Sequence, residues 1–318
     1  MEKIPAAVVV GPTASGKTAL SVLLAQALNG EIISADSMQI YRGMDIATAK
    51  PTAEERRGVP HHLLDFLPPD RPYSVAEFVK DARAAAKDIV SRGRRVIVAG
   101  GTGLYVDSLI GHMAFEEEPG DGGTRAVLRE RLRAEGAEAL YKELASADPE
   151  YAATVDPRNT VRVLRALEIL ARTGEKPSVR RRRAAEQPSD FNAVFIGLTF
   201  ADRSLLYRRI ERRVDEMLER GLVEEARRYF ADGAGPTSAQ AIGYKELEPY
   251  LSGTLTLAEA RENLIRATRR YAKRQLTWFR RNQQIRWIVR DGRTEEEIFS
   301  QAAATIRESG VFQKEDIY

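Results

Sequence analysis

The residues with the clearest chemistry form one short segment near the N-terminus. Gly11 to Thr18 matches the phosphate-loop pattern G-x-x-x-x-G-K-[ST] at every fixed position. Its glycines let backbone N–H groups surround a phosphate, and the N-terminus of a following helix adds partial positive charge. Lys17 supplies a full cation, and the Thr18 hydroxyl can ligate Mg²⁺. The segment predicts a polyphosphate site made by Gly11, Pro12, Thr13, Ala14, Ser15, Gly16, Lys17 and Thr18.

Asp36 is the second candidate, because it directly follows an apolar segment at residues 31–35. A carboxylate at the carboxyl end of a strand beside a phosphate loop faces the crevice in which such folds bind ligands. Its position alone allows three interpretations: a Mg²⁺ ligand, a general base, or a structural cap at the strand end.

The phosphate loop alone also fits an ATPase, a GTPase or a small-molecule kinase. The first two would normally place an aspartate at the end of another apolar strand to help hold Mg²⁺. The best candidate strand, residues 94–99, is followed by Gly100-Gly101-Thr102-Gly103, which contains no acid. This weakens the motor and switch interpretations and leaves a small kinase, or an enzyme whose leaving group is pyrophosphate.

Alternating strand, turn and helix patterns place these residues in one sheet. Residues 6–10 are short, apolar and partly β-branched, which is typical of a buried parallel strand. The residues after the loop predict an amphipathic helix that ends at Asn29-Gly30. Ser74 and Glu77 form a capping box ahead of a helix that reaches about residue 91. The alternation predicts a doubly wound α/β fold with a parallel-sheet core around the phosphate loop.

The alternation stops at about residue 113. Residues 116–123 (EEEPGDGG) are typical of a linker, residues 124–172 predict helices, and the basic residues 178–187 predict a flexible stretch. Strand character returns at residues 191–200. We therefore predict a catalytic core formed by residues 1–112 and 191–318, interrupted by a small all-helical insertion domain at residues 113–190.

Composition excludes several classes of protein. The chain has 318 residues, of which 43% are hydrophobic and 30% charged, as in a soluble globular protein. It has no cysteine, so it has no disulfide framework and no thiolate metal site. It also has no run of 18 apolar residues and no secretory signal. We predict a cytoplasmic monomer that does not contact a membrane.

The net charge of +3 conceals a strongly basic segment. Residues 261–290 contain ten Lys or Arg and one acid, Glu262, and such a local stripe suits phosphate contacts. Within it, residues 273–280 mix cations, amides and aromatic rings, as readers of single-stranded RNA do. The same residues also fit an amphipathic helix with Leu276 and Phe279 in the core. Both interpretations can hold at once.

Several segments together resemble the tRNA dimethylallyltransferase (tRNA isopentenylpyrophosphate transferase) family. They are, in order, GPTASGKT, SADSMQIYRGMDIATAKP, GVPHHLLD, VAGGTGLYV, NTVRVLRALEI, QAIGYKEL and TRRYAKRQLTWFRR, between residue 11 and about residue 281. The resemblance implies that the loop holds the pyrophosphate of dimethylallyl diphosphate. It also implies that the acceptor is N6 of the adenine 3′ to the anticodon of tRNA, at position 37.

The resemblance also implies roles in this chemistry. Lys17, the loop amides and Mg²⁺ on Thr18 stabilise the charge of the departing pyrophosphate, Thr13 donates toward its bridging oxygen, and Arg213 contacts it. We expect Asp36 to accept the proton of the adenine amine as general base. The adenine must be flipped out of its stack to reach it.

The remaining implied contacts are with the anticodon stem-loop of tRNA. They comprise Asp36, Ser37, Met38, Gln39, Thr102, Arg125, Val161, Arg162, Val163, Leu164, Arg165, Gln240, Ala241, Ile242, Gly243, Tyr244, Lys245, Lys273, Arg274, Gln275, Trp278 and Arg280. The alternatives are a small-molecule or nucleotide kinase with a phosphate loop, and an RNA-binding protein that a nucleotide regulates.

Overall fold

Short apolar and β-branched segments form a parallel sheet. The structure, a computed structural model, describes residues 3–111, 123–186, 188–233, 235 and 237–312. The strands are β1 (Ile4–Val10), β2 (Gly30–Ser34), β3 (His61–His62), β4 (Arg95–Ala99), β5 (Phe191–Thr199) and β6 (Arg286–Val289). Within the described residues they make one six-stranded sheet in the order β3-β2-β4-β1-β5-β6, and each neighbouring pair is parallel. The predicted α/β class is confirmed.

Strand β1 lies at the centre of this sheet. Its Val8 is in register with Val98 of β4 on one side and with Phe195 of β5 on the other. Residues 6–10 have no exposed surface, as expected of a parallel strand covered by helices on both faces. β3 and β6 were not predicted, because segments of two and four residues are too short to show a strand period.

Several helices begin at recognisable capping residues. In chain order they are α1 (Lys17–Ala27), α2 (Ala53–Arg56), α3 (Val75–Ser91), α4 (Gly103–Ile110), α5 (Thr124–Ala147), α6 (Pro149–Ala152), α7 (Thr160–Thr173), α8 (Pro177–Glu186), α9 (Arg203–Glu219), α10 (Leu222–Asp232), α11 (Tyr244–Leu251), α12 (Leu257–Phe279) and α13 (Glu295–Ser309). The predicted capping box of Ser74 and Glu77 starts α3, and Thr256 and Thr294 start α12 and α13 in the same way. No helix in the described part of the chain is long and apolar enough to cross a membrane.

Helices α1 and α13 cover one face of the sheet. Leu24 of α1 and Ile298 of α13 belong to one buried cluster with Ile97 of β4 and Ile196 of β5. Burying each such side chain contributes about 1.5–3 kcal/mol. This packing fixes the start of α1, and with it the phosphate loop, on the carboxyl edge of the sheet.

The chain divides into two compact units. One comprises Met1–Ile110 and Ser189–Tyr318, and the other comprises Gly111–Pro188. The described residues of the second unit form α5 to α8 around a core that includes Leu140, Leu144 and Ala166. The segment predicted to be a linker, residues 116–123, lies outside the described residues except for Gly123.

One expectation for the second unit is wrong. Residues 178–186, predicted as a flexible basic stretch, belong to helix α8. Its arginines pair with acids of the same unit, Arg182 with Glu150 at 3.0 Å and Arg183 with Glu175 at 2.8 Å. The run of like charges is helical because these acids offset its self-repulsion.

Candidate active site

The phosphate loop connects β1 to α1. Gly16 precedes the helix at φ 86°, and no side chain caps this helix start. The first amides of an α-helix lack intrahelical partners, so they remain available to an anion. Gly11 has φ 145°, and a Cβ there would lie 2.7 Å from the carbonyl oxygen of Leu198. Both positions therefore require glycine for physical reasons.

Side chains from distant segments hold the loop between these glycines. Ala14 has φ 62°, a left-handed conformation that costs a residue with a Cβ about 1–2 kcal/mol. The Nε atom of Arg209 on α9 donates to the Ala14 carbonyl at 2.8 Å. The Thr13 amide donates to Oε1 of Gln275 on α12 at 2.7 Å. The strained loop conformation is thus stabilised before any ligand binds.

A cleft of about 690 Å³ opens beside the loop, and all its lining residues belong to the larger unit. It brings together Lys17, Asp36 and Arg213, three of the four predicted catalytic residues, and the fourth, Thr13, also lines it. Residues 36–39, 47–51, 99–101 and 240–243 form further parts of the wall. The sequence-predicted phosphate and carboxylate elements therefore face one space.

The cations of this cleft are crowded. The Lys17 Nζ atom donates to the Pro12 carbonyl at 2.9 Å. Burial and the neighbouring Arg213 guanidinium lower the pKa of Lys17 to about 8, although the Asp36 carboxylate acts in the opposite direction. Burial also lowers the pKa of Arg213, and burial together with Arg290 and Arg212 lowers that of Arg209. A bound anion would relieve this repulsion, as at many functional sites.

The Asp36 side chain is held by hydrogen bonds from the residues that follow it in the sequence. Its Oδ1 accepts hydrogen bonds from the amides of Met38 at 2.9 Å and Gln39 at 3.4 Å. Burial lowers the pKa of both Lys17 and Arg213, and the Asp36 carboxylate acts against this lowering at both, so it lies within electrostatic reach of both cations. A single carboxylate beside a phosphate loop can accept a proton from a ligand held there.

The glycine segment after β4 supports the Asp36 segment. The Thr102 amide donates to the Ala35 carbonyl at 3.2 Å, and Thr102 Oγ1 accepts from the Ser37 amide at 3.1 Å. A Cβ on Gly100 would collide with the Ala35 carbonyl. Thr102 therefore contacts the Asp36 segment directly, and Gly100 permits the close approach.

Residues 47–51 form a wall of the cleft, and Glu225 of α10 holds the start of this segment at residues 45–47. Its carboxylate accepts from the amides of Asp45 and Ala47, both at 2.9 Å, and from Ile46 at 2.7 Å. The Tyr244 hydroxyl donates to the same carboxylate at 3.0 Å. Tyr244 is buried, whereas Gln240, Ala241, Ile242, Gly243 and Lys245 line the cleft.

The residues predicted on α12 divide between the interior and the surface. Gln275 is buried and its Nε2 donates to the Gly101 carbonyl at 3.0 Å. Trp278 donates from Nε1 to Asp107 at 2.7 Å, and a Cβ on Gly103 would collide with its ring. Lys273, Arg274 and Arg280 are exposed. One face of the helix thus supports the cleft while the other presents cations.

In the smaller unit, two predicted arginines share one acid. Arg125 and Arg165 contact Glu168 of α7 at 2.8 and 3.0 Å, and Arg172 lies 3.5 Å from it. Although burial acts against ionisation, the hydrogen bonds from Arg125 and Arg165 lower the pKa of Glu168.

The other predicted residues of α7 differ in exposure. Val161 is 76% exposed and Arg162 is also exposed, but Val163 is 2% exposed and belongs to the core of this unit. Leu164 packs partly against the same core.

Tyr271 and Arg209 are two of the cleft-lining residues that sequence reasoning missed. Tyr271 precedes Gln275 by four residues on α12, and Arg209 precedes Arg213 by four residues on α9. Residues four apart share a helix face, so helical spacing was the available signal. Burial and the Asp36 carboxylate raise the pKa of Tyr271, which keeps its hydroxyl protonated.

Comparison with known proteins identifies a family for this chain. The family model described as IPP transferase matches residues 39–282. The chain belongs to the IPP transferase family.

Members of the IPP transferase family resemble it along most of its length. A tRNA dimethylallyltransferase of Pelotomaculum thermopropionicum is 50% identical over 292 residues, which are 90% of this chain and 91% of the relative. The crystal structure of the full-length tRNA isopentenylpyrophosphate transferase of Bacillus halodurans has a TM-score of 0.71 and 45% identity, over 96% and 98% of the two chains. A eukaryotic dimethylallyltransferase acting on tRNA has a TM-score of 0.79 and 29% identity, over 99% of this chain and 82% of the other.

Proposed function

We propose that this chain transfers the dimethylallyl group of dimethylallyl diphosphate to N6 of the adenine 3′ to the anticodon of tRNA, position 37, and releases pyrophosphate. One observation carries the proposal: the phosphate loop, Asp36 and an apolar wall line the same cleft. A diphosphate, a short prenyl chain and a nucleophile each have a matching surface there. The names of the relatives in the IPP transferase family support the same activity.

The leaving group is stabilised by the cations and amides of the loop. Breaking the carbon–oxygen bond leaves negative charge on the diphosphate, and preorganised donors lower the energy of that charge. Lys17 and Arg213, which line the cleft, would face the diphosphate, and Thr13 would donate toward the bridging oxygen. Because these cations repel one another in the free protein, the developing negative charge interacts with them favourably.

The prenyl chain needs an apolar surface beside the loop. Ile210 and Val214 of α9 and Leu264 of α12 are buried apolar side chains that line the cleft, and the partly exposed Met217 also lines it. Contact with five apolar carbons contributes about 0.8 kcal/mol for each buried CH₂. These side chains would hold the reacting carbon near the amine of the acceptor.

The acceptor amine requires a base. An exocyclic adenine amine is a weak nucleophile, so Asp36 would align it and remove its proton as the new bond forms. The adenine must leave its stack to enter the cleft. The side-chain Nε2 of Gln39 donates to the carbonyls of Thr48 and Ala49, both at 3.2 Å. Gln39 would form the side wall for the adenine.

Mg²⁺ fits the donors of the loop. Within the described residues no group of three or more acids or histidines is placed to hold a metal. Mg²⁺ often binds through few protein atoms, together with substrate phosphates and water. The Thr18 hydroxyl lines the cleft and would hold the ion, which offsets charge on the diphosphate.

Residues for contact with the anticodon stem-loop are proposed in each unit. Arg125, Val161, Arg162 and Arg165 of the helical insertion, predicted at residues 113–190, would contact its backbone and loop, as would Lys273, Arg274 and Arg280 of α12, whereas Val163 is buried in the core of its unit. Exposed guanidinium and ammonium groups bind phosphates without sequence preference. The cytoplasmic location and the monomeric state stay predictions.

A labelling experiment tests the proposal and separates it from the two alternatives. The protein is incubated with dimethylallyl diphosphate labelled in its prenyl group, Mg²⁺ and unmodified tRNA. We expect label in wild-type tRNA and none in a tRNA whose position 37 is not adenine. Transfer from labelled ATP would support a kinase instead, and tRNA binding without either transfer would support an RNA-binding protein.

A further inference from the structure

Arg290 lies directly behind the phosphate loop. It follows β6 and is only 7% exposed, which is rare for an arginine without a fixed partner. Its Nη1 donates to the Ser15 carbonyl at 2.8 Å, and its Nη2 pairs with Glu295. Its amide donates to the Thr199 carbonyl at 3.0 Å, so its backbone is tied to the end of β5. Arg290 is therefore held both at its backbone and at its guanidinium group.

This contact sets the direction of one amide of the loop. The Ser15 carbonyl and the Gly16 N–H belong to one planar trans peptide, in which the two bonds point in opposite directions. Gly16 lines the cleft and Arg290 does not. A Cβ on Gly16 would collide with Nη1 of Arg290, so the guanidinium packs directly against Gly16. Because the Ser15 carbonyl points toward Arg290, the Gly16 N–H points away from the guanidinium.

We propose that Arg290 is a positioning residue for the diphosphate: it holds the Ser15–Gly16 peptide so that the Gly16 amide faces the leaving group. This role rests on the proposed function, because it concerns the same diphosphate. Arg290 acts through the peptide and does not touch the substrate. An unanchored peptide would rotate, and its carbonyl oxygen would then repel the phosphate oxygens.

Binding of inorganic pyrophosphate, measured calorimetrically with Mg²⁺, tests this role separately from prenyl transfer. The variants are Arg290→Ala and Arg290→Lys. The matched control is Arg293→Ala, since Arg293 lies three residues further on and bonds to Gln301 of α13. We expect Arg290→Ala to weaken pyrophosphate binding about 10- to 100-fold, the effect of losing a charged and a backbone hydrogen bond. Arg290→Lys keeps one donor for Ser15 and should recover part of that loss, while Arg293→Ala should match the wild type.

Steady-state kinetics exclude a purely structural effect. Arg290→Ala should lower kcat and raise the KM for dimethylallyl diphosphate, with the KM for tRNA unchanged and thermal unfolding showing a folded protein. If Arg290→Ala does not fold, Arg290→Lys carries the test, with an expected loss of about 3- to 10-fold.

The outcomes distinguish the two proposals. Wild-type protein that does not bind pyrophosphate would overturn the proposed function and this inference together. Wild-type protein that binds it, with folded Arg290 variants of equal affinity, would overturn the positioning role alone. Equal losses for Arg293→Ala and Arg290→Ala would also overturn it.

Discussion

The cleft and the helical unit both gather cations, but they hold them in different ways. In the cleft, Lys17 and Arg209 donate to backbone carbonyls, and the pKa values of the cations are lowered. In the helical unit, Arg125 and Arg165 share the carboxylate of Glu168, and there the pKa of the acid is lowered. The hydrogen-bond acceptors of Lys17 and Arg209 are neutral carbonyls, whereas Arg125 and Arg165 share a charged carboxylate.

This difference indicates how each region would bind a ligand. Neutral carbonyls orient a cation without cancelling its charge, so the carbonyl partners of Lys17 and Arg209 leave the charge of these groups available to a diphosphate. A shared carboxylate cancels part of the charge of the arginines and fixes where they point. The cleft therefore suits strong binding of a compact anion, and the helical unit suits oriented contact with an extended phosphate backbone.

The largest expected effect tests whether the chemistry belongs to the cleft. Asp36→Ala should lower turnover by ~10²–10⁴, because the amine loses its base, while tRNA affinity stays close to that of the wild type. Single-turnover transfer of the labelled prenyl group, with tRNA binding measured in parallel, checks both expectations. A turnover close to that of the wild type would remove Asp36 from this role.

The second expected effect is a pH dependence of pyrophosphate binding that comes from Lys17 of the cleft and not from an arginine. Lys17 has a lowered pKa of about 8, so above that pH the free protein increasingly holds it neutral. Pyrophosphate affinity should therefore fall as pH rises above 8, approaching about tenfold for each pH unit. Arginine stays protonated in this range, so Lys17→Arg should remove the decline. A decline that persists in Lys17→Arg would assign it to another group.

The third prediction removes the shared acid from the cluster that Glu168 forms with its arginine partners in the helical unit. Glu168→Gln leaves three guanidiniums without their shared acid, and the free energy of unfolding should fall by about 1 kcal/mol. The loss is moderate because the Arg125 and Arg165 side chains are almost half exposed to screening water. Added phosphate should restore part of it.

The matched control for this variant is Glu138→Gln, which breaks an exposed pair with Lys142 in the same unit. It should change stability by less than about 0.5 kcal/mol. Denaturant unfolding measures both variants. Equal effects for Glu138→Gln and Glu168→Gln would show that the Glu168 cluster is no more important than a surface pair.

The smallest effect concerns the exposed face of α12. Replacing Lys273 and Arg274 by Ala should weaken tRNA binding a few-fold and reduce the salt slope of the affinity by about 0.7 for each lost phosphate contact. Pyrophosphate affinity should not change in Lys273→Ala alone, because Lys273 does not line the cleft, whereas Arg274 does. A tRNA affinity with the salt slope of the wild type would indicate that these side chains do not touch RNA.

Local patterns predicted much of this molecule. The phosphate loop, β1, the capping box of α3 and the position of Asp36 each depend on residues close together in sequence. Spacing could not reveal that Arg209 reaches Ala14 across 195 residues or that Arg290 reaches Ser15 across 275. Such contacts arise only when the sheet brings the strand ends together.

Sequence alone also could not divide the basic segment by function. Gln275 and Lys273 are two residues apart, yet the first is buried against the loop and the second is exposed. An aromatic ring among cations, such as Trp278, is typical of RNA-binding segments, but the indole of Trp278 donates to Asp107. Burial depends on what packs against each face of α12, and that information is not local.

The most direct test is the structure of a complex with an anticodon stem-loop and an unreactive analogue of dimethylallyl diphosphate. The decisive quantity is the distance from the Asp36 carboxylate to N6 of adenine 37. We predict at most about 3.2 Å, with the diphosphate on the amides of the Gly11–Thr18 loop. An adenine bound elsewhere, or Asp36 turned away from the loop with no room for a purine, would contradict the account.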